Sequence, residues 1–188
     1  MKHLTDIEII DSIKRGNSAD FSLLVDRYKD KAFSLLKRIL KNEMDAEEVL
    51  QDSFLKAYYS LKEFRQDSKF STWFYKIVYN SALTVVASKK RKIEHEMSSI
   101  DDEFDLTSGD NQIYASAENS REYVLKLVDK LPLRHALVTI LFYVDGLSLN
   151  EISQVMGTSL VNTKVLLHRS RSALKDLLLK HNYQEELL

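Results

Sequence analysis

Apolar positions recur at three- and four-residue intervals through most of the chain, interrupted by short polar turns and one long acidic stretch. Thr5-Asp6-Ile7-Glu8 places a hydroxyl and a carboxylate three residues apart, where each can satisfy the other's backbone N–H. It opens a short helix to about Lys14. Gly16-Asn17-Ser18 breaks that helix. From Ala19 onward Phe21, Leu24, Val25, Tyr28, Ala32, Leu35, Leu36 and Ile39 trace one buried stripe. Asn42-Glu43-Met44 ends this second helix. Asp45 is the expected cap of a third, with Glu48 as its partner and Val49, Leu50, Phe54, Ala57, Tyr58 and Leu61 on its inner face. A polar turn, Gln66-Asp67-Ser68-Lys69, sits between Phe64-Arg65 and Phe70. A fourth helix begins near Ser71, buries Phe74, Ile77, Val78, Ser81, Ala82 and Val85, and closes on Lys89-Lys90-Arg91-Lys92.

Residues 93–118 lose the period. Ser98, Ser99, Asp101, Asp102, Glu103, Asp105, Ser108, Gly109 and Asp110 dominate, with Ile100, Phe104 and Leu106 embedded among them. Helical spacing resumes near Ser120 with Val124, Leu127, Val128 and Leu131. Pro132 marks a boundary, because the residue before proline disfavours helix. A helix through Leu137, Ile140, Leu141 and Val144 ends at Asp145-Gly146. Ser148 and Glu151 form a second capping box, for a helix to Met156. Gly157-Thr158-Ser159 then turns the chain into a longer helix from Leu160 to about Lys180. Two helices joined by a short Gly-containing turn make a helix-turn-helix. No strand-like alternation and no internal repeat interrupts the pattern. The predicted fold is all-α: two helical domains, 1–92 and 119–188, joined by an acidic linker, the C-terminal one a helix-turn-helix.

Charge sharpens this division. The 188 residues carry a net charge of −1. Residues 1–92 hold 18 lysines and arginines against 13 acids, residues 93–118 none against 8, and residues 119–188 nine against 7. Two mildly basic blocks therefore flank an acidic tether. A spacer gains nothing from such charge, so the tether is expected to be extended and to bind a partner rather than merely to separate the domains. The absence of cysteine removes disulfides, thiol catalysis and cysteine zinc sites from consideration. Nothing reads as a signal peptide, and no apolar run approaches the ~20 residues of a membrane span. A cytoplasmic protein without membrane insertion is expected, with no long extension at either end.

Candidate chemistry concentrates between Leu61 and Asn80. Basic residues alternate there with Phe64, Phe70, Trp73 (the only tryptophan), Phe74, Tyr75 and Tyr79. Aromatic faces stack on unpaired bases while Arg or Lys takes phosphates, so the stretch suits single-stranded nucleic acid, although aromatic stripes at helical spacing are usually core. Catalysis finds no such constellation. The five histidines share no metal-ligand spacing, no serine sits in a nucleophile elbow, and Glu47-Glu48 lie on a solvated face. Neither an active site, a metal nor a cofactor is expected.

Two blocks carry a resemblance: DAEEVLQDSFLKAYYSLKEFRQDSKFSTWFYKIVYNSAL at residues 45–83 and LPLRHALVTILFYVDGLSLNEISQVMGTSLVNTKVLLHRSRSALKDLL at 131–178. In this order the chain resembles the extracytoplasmic-function (ECF) sigma factors of bacterial RNA polymerase, in the sigma-seventy superfamily. A helix-turn-helix alone would equally suit a regulator that binds duplex DNA without polymerase; the first block makes the resemblance specific. The resemblance implies binding to core RNA polymerase, recognition and opening of promoter DNA, and an anti-sigma partner.

It also implies roles for residues. Asp45, Glu48, Gln51, Asp52 and Leu55, on one face of the third helix, would dock on the polymerase's largest subunit, Gln51 and Asp52 foremost. The turn from Phe64 to Phe70, with Arg65 and Lys69, would receive a base flipped from the minus-ten element. Lys76, Tyr79, Asn80 and Leu83, on the outer face of the next helix, would meet the melted strand. Trp73 would be packing or a wedge at the duplex edge, and Lys89 to Lys92 would contact phosphate. The last helix would read the minus-thirty-five element. Its inner stripe is Leu160, Thr163, Leu167, Leu174 and Leu178, leaving Ser159, Val161, Asn162, Val165, His168 and Arg169 toward DNA with Lys164 and Arg171 flanking. The family usually has a basic residue where Leu166 stands, a small polar one at Val165 and Val at Thr163. This reading face is therefore less basic than usual, with thymine-methyl contact expected at Val161 or Val165.

Overall fold

The computed structural model describes residues 4–97 and 120–185. Among them are eight α-helices, two short 3-10 turns and no strand. The chain divides into two compact units, one of residues 1–92 with 154–157 and the other of residues 93–153 and 158–188.

In the first unit α1 spans Asp6–Lys14, α2 Phe21–Leu40, α3 Glu43–Ser60 and α4 Phe70–Met97. The Thr5–Glu8 capping box is formed: Thr5 N–H donates to the Glu8 carboxylate at 2.7 Å, and Glu8 N–H to the Thr5 hydroxyl at 3.3 Å. These bonds hold the Glu8 carboxyl below its ordinary pKa, the Thr5 backbone N–H contributing most. A helix as short as α1 is marginal alone, and it depends on Ile9 and Ile10, both wholly buried. The carboxylate of Asp6 ties it to α2, accepting from the Arg27 guanidinium and the Tyr28 hydroxyl. Burial, reinforced by Asp6, pushes the Tyr28 phenol pKa far up.

The expected start of α3 is corrected. Asn42 caps it, its side-chain oxygen accepting from Asp45 N–H at 3.0 Å, and Asp45 lies inside the first turn. Lys41 takes a left-handed φ of 55° at the end of α2, which frees Asn42 for the extended cap conformation three residues earlier than read from sequence. The Asp45 carboxylate instead pairs with Lys89 of α4. The helix α4 also runs past Lys92 to Met97, into the stretch read as linker. The rest of that acidic tether, residues 98–118, lies outside the described residues.

Leu24, Leu35, Leu36, Phe54, Leu61, Phe74 and Val78 fill the core of this unit. Phe74 stands at its centre, its ring stacked on Phe54 at 4.6 Å and on Phe70 at 5.8 Å, with Tyr28 at 6.0 Å.

The second unit has α5 (Ser120–Asp129), α6 (Leu133–Tyr143), α7 (Leu149–Met156) and α8 (Leu160–Glu185). Its central helix is α6, buried continuously from Ala136 to Leu141. Val128, Leu131, Ala136 and Ile140 form a core over which Leu125, Ala173, Leu174 and Leu177 pack. Gly146 at φ 71° ends α6, and the Leu147 N–H returns to the Leu141 carbonyl at 2.9 Å. The second capping box is also formed, with Ser148 N–H on Glu151 at 2.7 Å and Glu151 N–H on Ser148 at 3.3 Å. Gly157, at φ 61°, and Ser159 then set the helix-turn-helix bend, the Ser159 hydroxyl capping α8 through Asn162 N–H at 3.1 Å. Along α8 Thr163, Leu167 and Ser170 are buried, with Leu174 and Leu178 half-buried. Leu160, expected inside, is 38% exposed, because it occupies the first helical position beside the turn rather than a position over α6.

Candidate nucleic-acid interface

Three surfaces gather the residues singled out from sequence. On α3 Glu48, Gln51, Asp52 and Leu55 are exposed on one face, while Asp45 is half-buried in its pair with Lys89. Met44 and Tyr59, 80% and 76% exposed, extend the same face at its two ends. Sequence reading missed both: Met44 was taken as part of a helix end. The signal was there in the spacing, since Met44, Glu48, Gln51, Leu55 and Tyr59 follow one another at three or four residues.

The second surface is the turn and the helix it starts. Phe64 and Phe70 are 5% and 3% exposed and pack edge to face at 6.0 Å. They are the floor of the turn, not exposed stacking platforms. Trp73 leans on both, at 5.0 and 5.7 Å, and is half-buried. Arg65, Gln66, Asp67 and Lys69 are exposed above them. Tyr79 is corrected: it is 5% exposed and belongs to the core. The buried arc of α4 is wider than one stripe, taking in Phe74, Tyr75, Val78, Tyr79 and Ala82. The remaining outer arc carries Trp73, Lys76, Asn80 and Leu83 at three- and four-residue spacing, all but Trp73 exposed. Of the basic run, Lys89 is engaged by Asp45, and Arg91 Nε donates to the Ala87 carbonyl at 3.3 Å.

The third surface is α8. Val161, Asn162, Lys164, Val165, His168, Arg169 and Arg171 all face out. Val161, Val165, His168 and the exposed Ser172, which sequence reading missed, form its midline. Grooves run along both sides. A cavity of about 470 Å³ lies between α8 and the start of α6, lined by Arg134, His135, Asn162, Val165, Leu166 and Arg169 among others. A second, of about 480 Å³, is lined by Leu149, Lys164, His168 and Arg171. Arg171 is not a loose cation: Nε donates to the Tyr143 hydroxyl at 2.6 Å, and the guanidinium lies over the Phe142 and Tyr143 rings. Arg134 escaped sequence reading because it sits far from the helix-turn-helix in the chain. Only packing brings it to the same groove as Arg169.

The family models fall on these two units. Sigma-70 region 2 matches residues 24–92, and Sigma-70 region 4 matches residues 121–174. The ECF RNA polymerase sigma factor SigW of Bacillus subtilis is 34% identical over 178 residues, 88% of this chain and 92% of that protein. The chain belongs to the ECF RNA polymerase sigma factors. The sigma-E factors of Salmonella typhimurium and Escherichia coli K12 are 32% and 31% identical over 180 residues, each match spanning 92% of this chain and 94% of the relative. Two solved structures share the fold. CnrH in complex with the cytosolic domain of CnrY gives a TM-score of 0.61 at 22% identity, over 90% of this chain and 94% of that one. The sigma factor RpoE of Bartonella quintana, in complex with the anti-sigma factor NepR, gives 0.64 at 18%, over 85% and 96%.

The three surfaces of this sigma factor carry exposed polar, charged and apolar side chains. Among the described residues no group of acids and histidines is placed to hold a metal ion, and no helix is long and apolar enough to cross a membrane.

Proposed function

We propose that this sigma factor divides its work between the two units. Residues 1–92 dock on core polymerase through α3 and hold the minus-ten element through the turn and outer arc of α4. Residues 119–188 read the minus-thirty-five element through α8. The observation that supports this most is that one chain carries both matched regions in order, each with an exposed polar face that its own core leaves unused. The protein works in the cytoplasm, has no active site of its own, and is restrained by an anti-sigma partner. Both solved relatives are bound to a second protein, which supports that last reading. Run-off transcription with core polymerase over a promoter library tests the whole. Initiation at promoters sharing two spaced elements is expected, whereas tight duplex binding without core would mark a free-standing regulator.

On α8 the grip on DNA is divided between charge and shape. Arg134 and Arg169 line the same groove, and neither has an ion-pair partner among the described residues. Leu166, at a position usually basic in the family, faces that groove, so Arg134 supplies from α6 the charge that α8 lacks there. Arg169→Ala and Arg134→Gln should each weaken promoter binding uniformly across sequences. Each should flatten the log–log salt slope by roughly 0.9, the value of one phosphate contact. Val165→Ala should change preference at one base position and leave the slope alone, since a methyl contact carries no charge. A Val165→Ala loss that is uniform across sequences would mean that another face of α8 meets the bases.

A further inference from the structure

The last turn of α1 lies against the turn that precedes α4. Lys14 Nζ donates to the Phe64 carbonyl at 2.7 Å, and the Asp11 carboxylate accepts from Gln66 Nε2 at 3.3 Å. Asp11 and Lys14 are three residues apart and share a face of the helix. The second contact falls on Gln66, whose φ of 63° is a left-handed conformation uncommon for a residue with a side chain. The far end of α1 is fixed to α2 through Asp6, and Arg27 Nη2 adds a bond to the Leu4 carbonyl at 2.8 Å. The helix is thus a strut between α2 and the turn. It lies upstream of residues 24–92, the part of the chain that region 2 matches.

The bond from Lys14 does more than tether. A carbonyl held by an ammonium group cannot rotate toward solvent, so the plane of the Phe64–Arg65 peptide is set. That peptide is trans, which points the Arg65 N–H away from α1. This N–H has no hydrogen-bond partner among the described residues, and Arg65 itself is exposed. We propose that α1 is the positioning element of the base-capturing turn, with Lys14 and Asp11 holding the Arg65 N–H as a donor toward the acceptor edge of an extruded base. The inference rests on the reading of the turn as the site that receives that base.

The test uses full-length protein assembled with core polymerase on a promoter already melted across the minus-ten element. Binding is compared between the preferred sequence and promoters substituted at each unpaired position in turn. Lys14→Met should reduce the discrimination at one position by about two- to ten-fold, the scale of one amide hydrogen bond. Core affinity and helix content should be unchanged, and Lys14→Arg should restore most of the effect. Gln66→Gly separates positioning from support. Glycine accepts the left-handed backbone but cannot reach Asp11, so the melting temperature should hold while discrimination falls. If the parent shows a preference and both Lys14→Met and Gln66→Gly match it at every position, α1 has no positioning role. If the parent shows no preference at any unpaired position, the base-capture reading falls, and this inference with it.

Discussion

Phe74→Ala should cost the first unit about 3–5 kcal/mol, the range for emptying a large aromatic from a packed core. Domains of this kind are held by about 5–15 kcal/mol, so the unit would be left barely folded. The site is unusually intolerant because the Phe74 ring is wholly buried and touches rings from three directions: Phe54 of α3, Tyr28 of α2, and Phe70 at the start of its own helix. None of these can close the void without moving a helix. Urea unfolding of the full chain is the measurement, read through Trp73, the only tryptophan. It lies against Phe64 and Phe70 and so reports on this unit. Trp73→Ala, at a half-buried position, should cost less. A Phe74→Ala protein within about 1 kcal/mol of the parent would show that the ring cluster repacks freely and that the turn above it is not rigidly seated.

The same ring cluster links stability to the proposed role of the turn. Phe64 and Phe70 bracket the polar turn and both point inward, so the exposed residues between them stand on a floor continuous with the core. A site held to the geometry an extruded base requires is best mounted on packed elements. Here an irregular turn acquires that rigidity from the two aromatics at its ends and from the last turn of α1.

What was legible in the sequence follows from which features are local. The boxes Thr5–Glu8 and Ser148–Glu151 were readable because both partners lie within four residues and nothing distant competes for them. Asp45–Glu48 has the same spacing but forms no such box. Asn42 offered an earlier cap once Lys41 turned left-handed, and Lys89, 44 residues away, took the Asp45 carboxylate. Helical period gave the buried stripe of α2, which packs mainly by one face. It misplaced Tyr79, because α4 is covered over about half its circumference and one stripe under-describes it. Arg134 and Lys14 could not be found from spacing at all: each acts on a segment distant in the chain, and only the fold makes them neighbours.

The proposed docking face of α3 gives the second large effect. Gln51→Ala together with Asp52→Ala should lower affinity for core polymerase by about 10–100-fold, or ~1.4–2.8 kcal/mol, while leaving the fold intact. The fold should survive because neither side chain makes a hydrogen bond or ion pair among the described residues and both are exposed. Alanine is the best helix former, and surface changes of this kind fall within about 0.5 kcal/mol. The buried side of α3, Ala46, Val49, Ser53, Phe54 and Ala57, is untouched. The affinity should fall because these two polar groups sit between Met44 and Tyr59, among the most exposed apolar residues of this unit. A polar centre between exposed apolar ends is a surface that a partner desolvates on contact, which is where single side chains weigh most. Tyr59→Ala should therefore weaken docking as well. Asp30→Ala, on the exposed side of α2, should not. The measurement is competition for core polymerase against a labelled parent protein, with helix content followed alongside. Full competition by the Gln51/Asp52 double variant would remove this face of α3 from the polymerase contact and turn attention to the exposed arc of α4.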